Sequence, residues 1–191
     1  DPGSIEWFWD DFWEGIGRAN TFLDNVDAVN MDEDVRTRMK GEALFLRAYF
    51  YFQMTDLYGG VPIILEAPKL EQGELPRDTK EAVVDQIVAD LDAASGMLPT
   101  TQSETGRATK GAALALKARV LLFNGRWAEA ALASKQVMGM GYSLYPSYRD
   151  LFREANENNV EVIFDAQYKA PEEGNYYELY LGADGGGGWA S

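Results

Sequence analysis

The residues of this chain best suited to ligand chemistry are aromatic rings and an amide in its glycine-rich C-terminal segment. Trp189 lies near the end of that segment, and Asn175, Tyr176 and Tyr177 precede it. Sugar rings present apolar C–H faces that stack on aromatic side chains, while nearby amides hydrogen-bond to the hydroxyl groups. Because binding residues are concentrated on loops, we predict that these four residues contact a ligand.

A second aromatic group lies near the start of the chain, at Trp7, Trp9 and Trp13. Their spacing places them on an amphipathic helix, where large rings usually fill the core. The sequence therefore predicts packing for these three residues, with contact to a partner as the alternative.

Acidic side chains form close groups at 10–11, 32–34, 90–92 and 172–173. Glycosidases need two carboxyl groups that flank the substrate, but adjacent residues on a helix do not face each other. We therefore interpret these groups as solvated surface charge, with Asp32 or Asp34 as a helix cap. The spacing of calcium-binding loops is absent from the sequence.

Composition excludes several other functions. The chain has no histidine and no cysteine, which rules out Ser-His-Asp catalysis and thiolate zinc sites. Its formal charge of −14 argues against nucleic-acid binding. No apolar run approaches the roughly 18 residues of a membrane-spanning helix. The sequence thus predicts a binding protein, not an enzyme, with no metal and no cofactor. A hydrolase that uses acidic residues is the alternative.

Apolar residues recur at three- and four-residue steps in most of the chain, which predicts an all-α fold. Asp78 and Glu81 have the spacing of a capping box at the start of the third helix. Arg47 and Arg119 lie in helices rich in apolar residues, so we expect each to pair with an acid. The five main helices are predicted over about 5–26, 34–58, 78–98, 109–124 and 127–139.

Two short segments have extended patterns between or after these helices. The composition of residues 61–65 predicts a short extended segment. The alternation of apolar and polar residues in 158–168 predicts a strand. A loop-rich tail is predicted over 169–191, as part of a larger region, after a helical domain over 1–168.

The fourth and fifth helices resemble a tetratricopeptide unit over about 109–142. Ser134, Val137 and Tyr142 depart from the pattern of that repeat. Ala118 and Ala130 occupy its small packing positions, Leu121 an apolar one, and Trp127 the bulky position of the second helix. An ordinary helical hairpin is the alternative.

Six sequence blocks in one order resemble the SusD/RagB family of outer-membrane nutrient-binding lipoproteins. The resemblance covers about residues 7–168. The blocks are GIGRANTFLDNV, GEALFLRAYFYFQMTDLYGGVPIIL, LPRDTKEAVVDQIVADLDAASGMLP, GRATKGAALALKARVLLFNGRWAEAALASKQVM, GYSLYPSYRDLF and NENNVEVIFDAQY.

The resemblance implies a fold of tetratricopeptide-like hairpins and capture of glycans or other nutrients at the cell surface. It also implies a partner, a SusC-like TonB-dependent transporter, and a lipid anchor at the outer membrane in the full-length form. Family members are longer, so we expect this chain to be their first half. The alternative function is a protein–protein scaffold that binds peptides in a groove of its helical repeat.

Overall fold

The computed structural model describes residues 2–167, and the side chains of residues 6–167. Its secondary structure is helical, as predicted, and the described residues contain no strand. The five long helices are α1 (Pro2–Asn25), α2 (Glu33–Tyr58), α3 (Lys80–Met97), α4 (Lys110–Phe123) and α5 (Trp127–Met138). A short helix, α6, covers Tyr148–Leu151, and 3₁₀ turns cover Val26–Ala28, Leu70–Glu74 and Glu154–Asn156.

Side-chain caps set the starts of three long helices. Asp32 caps α2 by accepting from the backbone N–H groups of Asp34 and Val35, as predicted. Thr109 caps α4 in the same way. The predicted cap of α3 is wrong, because Thr79 occupies that position, while the Asp78 carboxylate accepts a hydrogen bond from the backbone N–H of Ile63 at 2.8 Å.

Each long helix packs against the next one in the chain, so the helices form a series of antiparallel hairpins. The core between them is closed by buried side chains from four helices. These are Ile16 of α1, Phe45, Tyr51 and Met54 of α2, Ile87 and Leu91 of α3, and Val120 of α4.

The α4–α5 hairpin matches three of the four tetratricopeptide positions. Leu121 and Ala130 are buried and Ala118 is half-buried, so the alanines lie in the contact between the helices. Trp127 differs, since 65% of its surface is exposed. Within the described residues no further helix follows α5 closely enough to cover the indole.

The predicted strand over 158–168 is wrong as far as Gln167, the last residue that the structure describes. Backbone hydrogen bonds form a turn there, with the N–H of Val162 donating to the carbonyl of Asn159 at 3.0 Å. The Asn159 side chain also accepts from the N–H of Glu161 at 2.9 Å. Local hydrogen bonds of this kind compete with strand pairing. Phe164 then packs edge-on against Phe45, with ring centroids 4.9 Å apart.

Candidate ligand-binding site

A cavity of about 420 Å³ lies between α1 and the chain that links α2 to α3. That volume is within the range of small-ligand sites. Its lining combines aromatic, apolar and polar groups: Trp9, Trp13, Ile16, Gly17 and Asn20 from α1, and Pro62, Ile64, Glu66, Pro68, Gln72, Gly73, Leu75 and Arg77 from the linking chain.

The α1 wall follows from helical periodicity. Trp9, Trp13, Ile16 and Asn20 are separated by four, three and four residues, which places them on one face of the helix. The two indoles meet edge-on, with ring centroids 5.8 Å apart. Trp13 also meets the ring of Tyr51 in α2, with centroids 6.1 Å apart. Both indoles are half-buried, so each packs on the core and keeps a surface toward the cavity.

The opposite wall is fixed to the end of α2. Gly59 ends α2 with a φ of 75°, a backbone conformation that favours glycine. The Tyr51 hydroxyl accepts from the N–H of Ile64 at 2.7 Å and donates to the carbonyl of the same residue at 3.0 Å. Burial raises the pKa of the Tyr51 hydroxyl to about 12, although the Ile64 hydrogen bond and Arg47 act in the opposite direction. The hydroxyl therefore stays protonated and hydrogen-bonds to both the N–H and the carbonyl of Ile64.

Arg77 brings a positive charge to the cavity. One of its nitrogens, Nη1, donates to the carbonyls of Tyr58 and Gly60 at 2.8 and 3.1 Å. Its guanidinium carbon lies 5.7 Å from the ring centroid of Trp9, a cation–π distance. The side chain is thus tied to the end of α2 while its charge remains beside the indole.

The rim carries a carboxylate that is held in its ionised form. Hydrogen bonds from Lys69 and then Gln72 lower the pKa of Glu66. A general acid in glycoside hydrolysis requires the opposite shift. Glu66 is therefore suited to accept hydrogen bonds from a ligand, in the manner of a sugar-binding carboxylate.

The aromatic and amide residues singled out from the sequence do not all lie in the part of the chain that the structure describes. Trp189, Tyr176, Tyr177 and Asn175 lie outside the described residues. Among the N-terminal tryptophans, Trp9 and Trp13 pack on the core as predicted, but they also line the cavity. Trp7 is 60% exposed, so its predicted packing is wrong.

The structure also tests the predictions about buried and exposed charges. Arg47 forms the predicted buried ion pair, and its partner is Asp90, which is only 4% exposed. The interpretation of Asp90 as solvated surface charge is therefore wrong. Arg119 is exposed instead of buried in a pair.

Sequence reasoning missed Asn20 and Arg77. Asn20 interrupts an apolar helical stripe and is completely buried, and that interruption is a signal that the sequence contains. Arg77 lies in a loop region whose course depends on the fold, so its position beside Trp9 has no signal in the sequence.

Comparison with known proteins gives consistent matches over most of the chain. The family model for starch-binding proteins associating with the outer membrane, SusD-like, matches residues 2–122. A SusD-like protein of Formosa agariphila is 29% identical over 187 residues, which is 95% of this chain and 36% of that protein. A SusD-like protein of Bacteroides ovatus is 30% identical over 176 residues, covering 84% of this chain and 32% of that protein.

Solved structures give the same result. A SusD-like protein of Bacteroides fragilis superposes with a TM-score of 0.83 at 36% identity, over 88% of this chain and 34% of that one. A laminarin-binding SusD-like protein has a TM-score of 0.81 at 32% identity, over 85% and 37%. The chain thus spans about a third of the length of the relatives it matches.

Proposed function

Because this chain belongs to the SusD-like family of starch-binding proteins associated with the outer membrane, we propose that it binds oligosaccharides at the cavity between Trp9, Trp13 and Arg77. The binding is non-catalytic. The observation that carries this proposal is the pairing of two half-buried indoles with polar groups that face the same space. Stacking on the indoles holds a sugar ring, and Glu66 and Arg77 hydrogen-bond to its hydroxyl groups.

The charges of the cavity support binding over hydrolysis. Glu66 is held as a carboxylate by Lys69 and Gln72, so it has no proton to give to a leaving group. Capture followed by release is the mechanism that fits these side chains.

The wider role follows from the family. We propose that the full-length protein is lipid-anchored at the cell surface and passes its ligand to a SusC-like TonB-dependent transporter. Within residues 2–167, no helix is both long and apolar enough to cross a bilayer. The helical side of the molecule offers a surface for the transporter, because Phe123 and Trp127 expose 63% and 65% of their surfaces beside a groove between α4 and α5.

The residues predicted near the C-terminus remain part of this proposal. Trp189, Tyr176, Tyr177 and Asn175 provide the ring and amide chemistry that a second contact surface for the same glycan needs.

The test is calorimetric titration of the full chain with maltoheptaose and laminarihexaose. One face of an indole offers about 100 Å² of contact, which corresponds to roughly 2 kcal/mol of binding free energy. Trp13→Ala should therefore weaken binding by about 30-fold. Trp127→Ala is the matched control, since it removes an exposed indole outside the cavity, and should leave affinity unchanged.

Three outcomes would contradict the proposal. The first is failure of the wild-type protein to bind either oligosaccharide. The second is hydrolysis of either oligosaccharide by the purified chain, which would make it an enzyme. The third is equal affinity of the wild-type protein and Trp13→Ala, which would move the site away from this cavity.

A further inference from the structure

A buried ion pair lies behind the cavity, outside its lining. Arg47 of α2 and Asp90 of α3 are 6% and 4% exposed. Their contact is bidentate, with Nε and Nη2 of Arg47 donating to the two carboxylate oxygens at 2.7 and 2.8 Å. Gln86 donates to the same carboxylate at 2.9 Å. Removing two charges from water is costly, and this geometry offsets much of that cost.

The remaining hydrogen bonds of this pair lead toward the cavity. Nη1 of Arg47 donates to the side-chain oxygen of Asn20 at 2.9 Å. The Asn20 amide nitrogen then donates to the carbonyl of Ile64 at 2.8 Å. A continuous chain of hydrogen bonds therefore connects α3, α2, α1 and the segment after α2, in that order.

The last two members of this chain lie on opposite walls of the cavity. Asn20 belongs to the α1 wall that carries Trp13, and Ile64 belongs to the wall formed by the linking chain. The Arg47 hydrogen bond fixes the orientation of the Asn20 amide, because its oxygen must face the guanidinium and its nitrogen must face Ile64. If the amide were free to turn, its oxygen would meet the Ile64 carbonyl, and the two walls would repel each other.

We propose that Arg47 and Asp90 are positioning residues for ligand binding: through the orientation of Asn20 they set the separation between the indole wall and the Ile64 wall. Neither residue lines the cavity, and the hydrogen bonds that connect them to its two walls pass through Asn20. The affinity part of this inference rests on the proposed oligosaccharide binding. The inference that Asn20 positions the Ile64 segment is independent of the proposed binding.

The test uses two variants of the full chain. Arg47→Met with Asp90→Leu replaces both charges by apolar groups of similar size, a change that leaves many proteins folded. Asn20→Ala keeps the ion pair and cuts only its connection to Ile64. Lys117→Met is the control, because it removes an ion pair between α4 and α3, with Asp92, that has no hydrogen bond to the cavity.

Amide hydrogen exchange is the first readout. The N–H groups of Ile63 and Ile64 donate to side chains, of Asp78 and Tyr51 respectively, so they report directly on the position of this wall. We expect both variants to exchange at least ten times faster at these two amides, with the α4 amides unchanged. The control should match the wild type at Ile63 and Ile64.

Titration with maltoheptaose and laminarihexaose is the second readout, and whichever probe the wild type binds should bind at least tenfold more weakly to both variants. Unchanged exchange at Ile63 and Ile64 in Asn20→Ala would overturn the inference, whether or not the double variant folds. Altered exchange with unchanged affinity would also overturn it as a statement about ligand binding. If the wild type binds neither probe, the proposed function fails, and the exchange result still decides whether the pair positions the wall.

Discussion

Replacing Gly60 by alanine should damage both stability and the cavity, because a close backbone contact leaves no room for a side chain. A Cβ atom on Gly60 would lie 2.0 Å from the backbone oxygen of Asp78 and 3.1 Å from the backbone nitrogen of Lys80. Ordinary contact begins near 3.4 Å. Neither of these neighbours is a flexible side chain, so the two backbone segments must separate by roughly an ångström.

The size of the effect follows from the hydrogen bonds that cross this contact. The Asp78 N–H donates to the Val61 carbonyl at 3.2 Å, and Arg77 donates to the Gly60 carbonyl at 3.1 Å. The Asp78 carboxylate accepts from Ile63 at 2.8 Å. Each bond contributes about 1 kcal/mol net, and the overpacking itself costs about 1–3 kcal/mol. With the loss of one of these three bonds, we expect the free energy of unfolding to fall by about 2–4 kcal/mol.

The assay is urea denaturation of Gly60→Ala beside Gly96→Ala. Gly96 lies within α3 and a Cβ there would meet nothing within 4 Å, so alanine should stabilise the helix by up to about 1 kcal/mol. Because the two changes in unfolding free energy are expected to have opposite signs, the comparison separates a steric effect at Gly60 from a general effect of replacing glycine. A Gly60→Ala protein within about 0.5 kcal/mol of the wild type would refute the close contact, and with it the described position of the cavity wall.

Three further predictions concern charges and caps. Burial raises the pKa of Tyr51 from 10.0 to about 12, so between these pH values the folded state keeps a proton that the unfolded state loses. The contribution of this group to stability is complete below pH 10 and has declined by about 2 kcal/mol at pH 12. The stability advantage of the wild type over Tyr51→Phe should therefore shrink by about 2 kcal/mol between pH 9 and 12. Asp32→Ala should lower the unfolding free energy by about 1 kcal/mol, because two backbone N–H groups lose their acceptor, while the exposed Asp56→Ala should change it by less than about 0.5 kcal/mol. Arg47→Met alone should cost about 3–5 kcal/mol, since it leaves Asp90 buried without its partner, and the addition of Asp90→Leu should restore most of that loss in thermal melts.

Helix positions in this chain follow from local chemistry, which is why the sequence predicts them well. The periodic stripes of α1 to α5 and the Asp32 cap depend on residues within one or two turns. The strand predicted over 158–168 does not form, and local chemistry is again the reason. A segment with alternating apolar and polar residues forms a sheet only when a neighbouring strand pairs with it. Within the described residues, the Asn159 side chain instead accepts a hydrogen bond from the backbone N–H of Glu161, and the segment folds as a turn.

The candidate site was less predictable because its members come together through long-range packing. Trp9 and Trp13 share a helix face, so their proximity is visible in the sequence. Arg77 reaches Trp9 only because α2 ends at Gly59 and the chain turns back past it. Even the buried partner of Arg47 could be named only as an acid, since the choice of Asp90 depends on how α2 and α3 cross.

The consecutive packing of the helices has a consequence for how the molecule opens. Each helix contacts mainly its neighbours in the chain, and α1 to α4 share one core to which α5 contributes no buried residue. The α4–α5 interface lies at one end of this series of helices and the cavity beside α1 lies at the other. We therefore expect α5 to open and reclose locally while α1 to α4 and the cavity stay intact. A change in how α5 packs is therefore not expected to disturb the cavity beside α1.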